Sequence, residues 1–164
     1  MHYIVGIDPG NKETAYCIVN ENMMPIWFGK YENDEMWLRL KQDLQWMTPT
    51  DEVEFAIENI ASYGMPVGAE TFDTCRWIGH LEERLKYYPQ TRIFRKDEKM
   101  CICNSPRAND ATIRQALVDR FASGEPNYGK GTKKKPGFFY GFRADIWQAF
   151  AVAVTCHELK QGRR

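Results

Sequence analysis

Three acidic residues, Asp8, Glu58 and Asp145, stand next to segments that the sequence predicts to be buried. Asp8 follows an apolar run over residues 3–7, Glu58 follows an alternating run over residues 53–57, and Asp145 precedes a strongly apolar segment. Two carboxylates in a partly apolar site repel each other, and a divalent cation such as Mg²⁺ removes that repulsion. Two such ions about 4 Å apart can clamp the attacking water and the leaving oxygen of a phosphodiester. The three acids together therefore predict a magnesium site suited to phosphodiester hydrolysis.

Each acid also has a purely structural interpretation. Asp8 could form an Asx turn before Pro-Gly, Glu58 could be a surface acid at a strand end, and Asp145 could be a favourable charge in the first turn of a helix. For Asp145 alone this is the better interpretation, and for the other two the alternatives are about equal. The metal site is favoured once the three are taken together, because the predicted sheet brings the first two side by side.

The elements that must position these acids begin with three strands, at residues 3–7, 14–19 and 25–31. The turns between them are short, which predicts an antiparallel meander. A helix over residues 33–47 and a strand over residues 53–57 follow. A strand, a crossover helix and another strand favour a right-handed parallel pairing.

Pairing of the first and fourth strands places Asp8 and Glu58 next to each other, at the carboxyl ends where α/β folds usually carry their chemistry. The rest of the chain predicts a long helix over residues 69–87, a fifth strand, a helix starting near Asn109, and a last helix over residues 144–159. The expected architecture is a single α/β domain spanning residues 1–164. It contains a five-stranded mixed sheet, three strands antiparallel and two parallel, with helices on both faces.

Composition indicates the cellular compartment in which the protein is expected to act. The N-terminus lacks the features of a signal peptide, and no apolar run is long enough for a membrane helix, so we expect neither secretion nor a membrane partner. Five cysteines, an odd number, favour reduced thiols in a cytoplasm. Cys101 and Cys103 are spaced to share one face of a strand, but no second metal-spaced pair accompanies them, which disfavours a zinc site.

Basic residues cluster in residues 126–144, which we call the basic loop. It contains no acid, although the whole chain has a formal net charge of zero. Such a segment can bind phosphates, or it can simply be a solvated loop. Its cationic residues are Lys130, Lys133, Lys134, Lys135 and Arg143.

Three stretches of sequence resemble one nuclease family. "IVGIDPGNKETAYCIV" is similar to the opening of RuvC-type Holliday-junction resolvases, which belong to the ribonuclease H-like superfamily. "FAIENI" resembles their second motif, and "DIWQAFAVAVTCH" resembles their closing helix. The three motifs occur in the family's order and spacing, and together they span almost the whole chain. The middle stretch looks most like divergent bacteriophage and prophage members.

This resemblance implies a ribonuclease H-like fold and a homodimeric endonuclease that cuts four-way DNA junctions symmetrically, using Mg²⁺, with Mn²⁺ as a substitute. Asp8, Glu58 and Asp145 fall on the catalytic and metal-binding positions. The family usually has a further acid where this chain has Gln148, which could still contact a water held by the metal but supplies no charge. The host cytoplasm would be the location of a phage-encoded member.

Residues outside the acid motifs are also implicated by the resemblance. Lys99 matches a basic position of the family, whereas a downstream basic position holds Asp110, and the lysines of the basic loop could compensate. Tyr63, in the loop after Glu58, is a candidate for stacking on bases near the junction, or an exposed aromatic without a role. The long helix after Glu58 would form the dimer, although its apolar stripe around Trp77 is equally compatible with core packing.

Three alternatives remain at this point. Actin-like ATPases and sugar kinases share a similar first hairpin, but they need a second such hairpin and a nucleotide-binding domain, so we expect no nucleotide cofactor. A related nuclease could cut RNA–DNA hybrids or other branched DNA with the same carboxylates. A protein that binds junctions without cutting them is favoured by Gln148 and disfavoured by the three acids.

Overall fold

The computed structural model describes residues 1–162. Five strands form a sheet in the order β3-β2-β1-β4-β5. The strands are β1 (His2–Pro9), β2 (Glu13–Asn20), β3 (Pro25–Glu32), β4 (Glu52–Asn59) and β5 (Gln90–Phe94). The first three strands are antiparallel neighbours, while β1 pairs with β4 and β4 with β5 in parallel. The predicted mixed sheet is therefore confirmed.

Helices cover both faces of the sheet, as expected. They are α1 (Asn33–Leu44), α2 (Ala69–Arg84), α3 (Arg95–Cys103), α4 (Asp110–Phe121) and α5 (Ile146–Lys160). Side chains of α1 and α2 join one buried cluster with one face of the strands. Side chains of α4, α5 and the basic loop join a second cluster on the opposite face. Alternating strand residues feed these two clusters, because successive side chains of a strand point to opposite faces.

The close approach of α5 to the centre of the sheet depends on small residues. Gly6 in β1 faces Ala149 and Ala153 of α5, and a Cβ at Gly6 would lie 2.8 Å from the Ala153 nitrogen and 2.9 Å from its Cβ. No ordinary Cβ contact is that short, so a larger residue would push the helix off the strand. This contact holds the start of α5 beside the carboxyl end of β1.

The segment after β5 differs from the prediction. The strand ends at Phe94, and residues that the sequence suggested to be extended form α3 instead. Cys101 and Cys103 therefore lie in a helix, where an i, i+2 pair does not share a face, and the expectation of a strand was wrong. Helix formation is supported locally, because the Asp97 carboxylate accepts a hydrogen bond from the Phe94 N–H at 3.0 Å.

Other helix and strand boundaries differ from the predicted ones by a few residues. Most of these differences are at helix ends, which depend on side-chain packing as well as on the apolar period. α4 begins as predicted, and the Asn109 side chain accepts a hydrogen bond from the Thr112 N–H at 3.0 Å. α5 begins one residue after Asp145, which therefore flanks the helix rather than occupying its first turn. Within residues 1–162, no helix is both long and apolar enough to span a bilayer.

Candidate active site

The end of β1 is braced by a chain of hydrogen bonds. Thr14, which lies opposite Pro9 in β2, donates to the Asn33 Oδ1 at 2.7 Å, and the Asn33 amide donates to the Gly10 carbonyl at 3.1 Å. Trp77 of α2 donates its indole N–H to the Thr14 hydroxyl at 2.8 Å. These bonds tie the turn after Asp8 to two helices, so the position of the Asp8 backbone is fixed from one side of the sheet.

Glu58 reaches the same edge from the neighbouring strand. The parallel register of β1 and β4 pairs Ile7 with Ile57, so the next residues, Asp8 and Glu58, follow side by side. β5 continues the edge, with Ile93 opposite Glu58. The adjacency predicted from the crossover is therefore present in the structure.

A cavity of about 440 Å³ opens at this edge, and we call it the acidic cavity. Asp8, Glu58, Asp145 and Gln148 all line it, so the structure brings together the four residues predicted for the metal site. Its remaining lining residues come from α3, α4 and the start of α5; they are Arg95, Asp110, Ile113, Arg114, Leu117, Ala144 and Trp147.

The two central acids resist ionisation. Burial, followed by the charge of Glu58 and a hydrogen bond with it, raises the pKa of Asp8 to about 9. Burial likewise raises the pKa of Glu58, against the lowering effects of the hydrogen bond with Asp8 and of the Arg95 charge. Both carboxylates are desolvated and too close to be charged without compensation.

Asp145 is differently placed. Its side chain is about half exposed, and its Oδ2 lies 2.7 Å from the Lys30 Nζ, which also lies 3.2 Å from a Glu13 carboxylate oxygen. The charge of Asp145 still contributes to the raised pKa of Asp8. Asp145 is thus at the rim of the acidic cavity, held by a lysine of β3 that the sequence did not indicate.

The donor set fits a divalent cation at its centre. Asp8 and Glu58 offer hard oxygen ligands, and a cation between them would offset both the repulsion that helps to raise the pKa of Asp8 and the desolvation that raises the pKa of Glu58. Within residues 1–162, however, no three Asp, Glu, His or Cys side chains are grouped closely enough to hold a metal ion. Asp145 could complete such a group only by leaving Lys30.

Two further charged residues, Glu98 and Arg95, lie beside Gln148 and were not predicted as site residues. Glu98 of α3 is fully buried, and Gln148 donates its amide N–H to the Glu98 Oε2. Arg95, the first residue of α3, donates to the same Glu98 oxygen at 2.7 Å and to the Gln148 Oε1. Their signal in the sequence was their place directly after β5, the strand next to Glu58.

The basic loop has a folded base and an exposed tip. Gly137 donates its N–H to the Lys130 carbonyl at 3.0 Å, and Phe139 donates its own to the Gly129 carbonyl at 2.9 Å. Phe139 is fully buried, with its ring centroid 4.6 Å from that of Trp147 at the start of α5. The cationic residues at the tip, all exposed, are Lys133, Lys134 and Lys135. Nearer the base, Arg143 is exposed and Lys130 is half-buried.

The remaining predicted contacts lie outside the acidic cavity. Lys99 lines a neighbouring cavity, together with Arg95 and Asp110. Tyr63 is 68 % exposed in the loop between β4 and α2, so it is free to meet another molecule. Trp77, Ile78 and Leu81 of α2 are buried in this chain's own core, which supports the packing interpretation of that stripe.

Comparison with solved structures identifies the architecture. The RuvC of Thermus thermophilus, in complex with a Holliday junction substrate, superposes with a TM-score of 0.67 at 14% identity, covering 99% of this chain and 98% of that one. A second structure of Thermus thermophilus RuvC gives a TM-score of 0.62 at 13% identity, covering 98% and 97%. The chain has a RuvC-like fold. At this identity, the likeness is one of fold alone.

Sequence comparisons add nothing to this assignment. No protein-family model matches the chain, and no curated protein matches it either. The RuvC-like fold nevertheless extends over essentially the full chain, so the acids of the cavity and the basic loop belong to one such fold.

Proposed function

We propose that this chain is a metal-dependent endonuclease that resolves four-way DNA junctions. The observation that carries the proposal is the convergence of Asp8, Glu58 and Asp145 on one cavity of a RuvC-like fold, beside an exposed basic loop. One of the similar structures is a RuvC bound to a Holliday junction. The residues 1–162 would act as a single nuclease domain.

Asp8 and Glu58 would hold the divalent cation, Mg²⁺ or Mn²⁺, with Asp145 at the rim. When bound, this cation would activate water and neutralise charge developing on the phosphate, leaving a 5′-phosphate and a 3′-hydroxyl. Lys30 keeps Asp145 in place until then, by the 2.7 Å ion pair. Ile113 and Trp147 add apolar side chains to the cavity wall, which would strengthen electrostatic interactions beside them.

DNA would be gripped mainly through its phosphates. Lys133, Lys134 and Lys135 are exposed at the tip of the basic loop, with Lys130 and Arg143 nearer its base. Lys99, one turn along α3 from Arg95, would extend this surface past the cavity. Exposed Tyr63 would stack on bases near the branch point, a contact that is tolerant of sequence.

Symmetric cutting of a junction requires two active sites, so the active form would be a homodimer. Exposed apolar side chains before and within α2 are available for the interface; they are Met65, Val67 and Phe72. Sedimentation analysis of the free protein and of its junction complex would measure the stoichiometry. A monomer in both would remove the symmetric mechanism.

The test of the proposed function is cleavage of a substrate panel with and without Mg²⁺. We expect a labelled four-way junction to be cut at paired positions in opposing strands, faster than a splayed duplex, a linear duplex or an RNA–DNA hybrid. Preferential cutting of the hybrid would instead assign the chain to a related ribonuclease H-like activity.

A junction-binding protein without cutting activity is the second candidate. Two observations favour it: Asp145 is engaged by Lys30, and both ends of the Gln148 amide are occupied. This candidate predicts tight binding to the four-way junction with no cleavage at any Mg²⁺ or Mn²⁺ concentration. The same panel therefore separates the two.

A further inference from the structure

Arg95 makes two very different sets of contacts. On its inner side, Nη1 donates to the Glu98 Oε2 at 2.7 Å and to the Gln148 Oε1. On its outer side, Nη2 donates to a carboxylate oxygen of Asp110. The guanidinium lies at the boundary of the acidic cavity and the neighbouring cavity lined by Lys99, and contributes to the wall of both.

The inner contacts form a closed network. Glu98 is fully buried, and Gln148 donates its amide N–H to the Glu98 oxygen that also accepts from Arg95. Within residues 1–162, the other Glu98 oxygen has no hydrogen-bond partner. The position of Glu98 therefore does not maximise its own hydrogen bonding, and its paired oxygen serves Arg95 and Gln148. Moving Arg95 would remove hydrogen-bond partners from the buried Glu98 carboxyl and from the Gln148 amide oxygen, and burying polar groups without partners is costly. The inner half of the guanidinium is therefore fixed.

The outer contact is of the opposite kind. The Asp110 side chain is 86% exposed, and an ion pair with one partner in water contributes little to stability. A phosphate oxygen accepts from a guanidinium as a carboxylate oxygen does, so a phosphate can take the place of the Asp110 oxygen on Nη2. Because water surrounds Asp110 but not Glu98, an incoming phosphate can displace the former and not the latter.

We propose that Arg95 is a phosphate-binding residue of the site, held from within by Glu98 and Gln148, and that Asp110 occupies it until DNA binds. The proposal rests on the proposed function, since the ligand is a DNA phosphate beside the scissile one. It gives Gln148 a positioning role, in which its amide oxygen orients the Arg95 guanidinium. Arg95 of α3 would also supply the basic side chain that is missing from α4, where Asp110 occupies the expected basic position. Lys99, one helical turn from Arg95, lies along the same path for the next phosphate.

Binding to a four-way junction in EDTA tests this assignment, with all variants made in the full chain. Arg95→Gln should weaken binding by about 10- to 100-fold, the range for hydrogen bonds to a charged group, and lower the slope of log K against log salt by about 1. Arg95→Lys should recover only part of the affinity, because a lysine lacks the fork.

Asp110→Asn is the decisive variant, because it should tighten binding. We expect an increase of about 2- to 5-fold, the fold-change that corresponds to the weak exposed ion pair being removed. Asp119→Asn is the matched control: the same change on the same helix, at an exposed residue that pairs with Gln115 rather than Arg95. Asp110 is exposed, so its variant should keep the fold even if those of Arg95 do not.

Equal affinities of Asp110→Asn and Asp119→Asn would overturn the proposal, as would full affinity of Arg95→Lys. If the wild-type protein binds and cuts the junction in those cases, the proposed function stands and only the role of Arg95 fails. If the wild-type protein binds no DNA of the panel, the proposed function fails and takes this inference with it.

Discussion

In the acidic cavity the central charged groups are partly buried, whereas in the basic loop they extend into solvent. The pKa of Asp8 is raised by burial and by the charge of Glu58, and the pKa of Glu58 is raised by burial. Lys133, Lys134 and Lys135 are exposed, and the charges of the loop have no ion-pair partner within residues 1–162. The basic loop also differs in its apolar residues, because it buries phenylalanines beneath its exposed lysines.

The difference follows from what each region is proposed to do. Charges that act on a reacting phosphate are most effective when desolvated and fixed, since water would screen them. Charges that bind a DNA backbone must reach phosphates at variable positions, so flexible, exposed side chains suit them, and they act largely by releasing counterions. A rigid aromatic base under a solvated tip provides that combination. Variants in either region should disrupt this division of labour, those of the acidic cavity most strongly.

Replacement of Asp8 by Asn should abolish cleavage while sparing junction binding. The loss of an essential metal ligand removes several kcal/mol of transition-state stabilisation, a fall in rate of at least about 10³-fold. Single-turnover cleavage and equilibrium binding, measured on the same junction, would show the split. Asp119→Asn, an exposed acid on α4, is the control and should cut normally. Normal cutting by Asp8→Asn would end the assignment of the acidic cavity.

Replacement of Phe139 by Ala should destabilise the protein through the base of the basic loop. The buried ring contacts Phe142, Trp147 and Phe150, and such truncations cost about 3–5 kcal/mol. For a chain of this size, each kcal/mol lowers Tm by about 2–4 °C. Tyr140→Ala, at the exposed neighbouring position, should change stability by less than about 0.5 kcal/mol. Similar melting curves for the two variants would show that the loop has no rigid base.

Neutralising the tip of the basic loop should weaken binding without changing the chemistry. The triple change Lys133→Gln, Lys134→Gln, Lys135→Gln should reduce junction affinity by about 10- to 100-fold and flatten its salt slope by roughly 1 for each phosphate that the loop no longer binds. Cleavage at saturating protein should keep its rate. Lys41→Gln with Lys86→Gln serves as the control, since Lys41 lies in α1 and Lys86 shortly follows α2, and these two helices cover the other face of the sheet. An unchanged slope in the triple variant would remove the loop from the interface.

A pH-dependent difference in Tm should separate wild-type protein from Asp8→Asn in EDTA. The pKa of Asp8 is 3.8 in its ordinary state and about 9 when folded, so the folded state holds the proton more tightly. Stability should therefore fall as pH rises from about 4 to 9, and Asp8→Asn should escape this loss. Each kcal/mol of relief corresponds to about 2–4 °C. Mg²⁺ should raise Tm in the wild-type protein alone; parallel curves in EDTA would contradict the buried repulsion.

Much of the fold was predictable because it depends on short-range rules. Alternating and apolar runs identified β1 to β4, and the handedness of the crossover placed β1 beside β4, so the adjacency of Asp8 and Glu58 followed from the sequence. The segment after β5 was not predicted as a helix, because its few apolar residues carry little periodicity. That omission concealed Glu98 and Arg95.

The sequence by itself determined the strands, their order through the meander and crossover, and the two acids at the ends of neighbouring strands. Only the tertiary structure decided that Lys30 holds Asp145, and that a buried Glu98 joins Gln148 to Arg95. The reason is physical: period and connection handedness are properties of one segment or two. A contact between a side chain of β3 and the residue that precedes α5, or between side chains of α3 and α5, depends instead on how whole elements pack against the sheet.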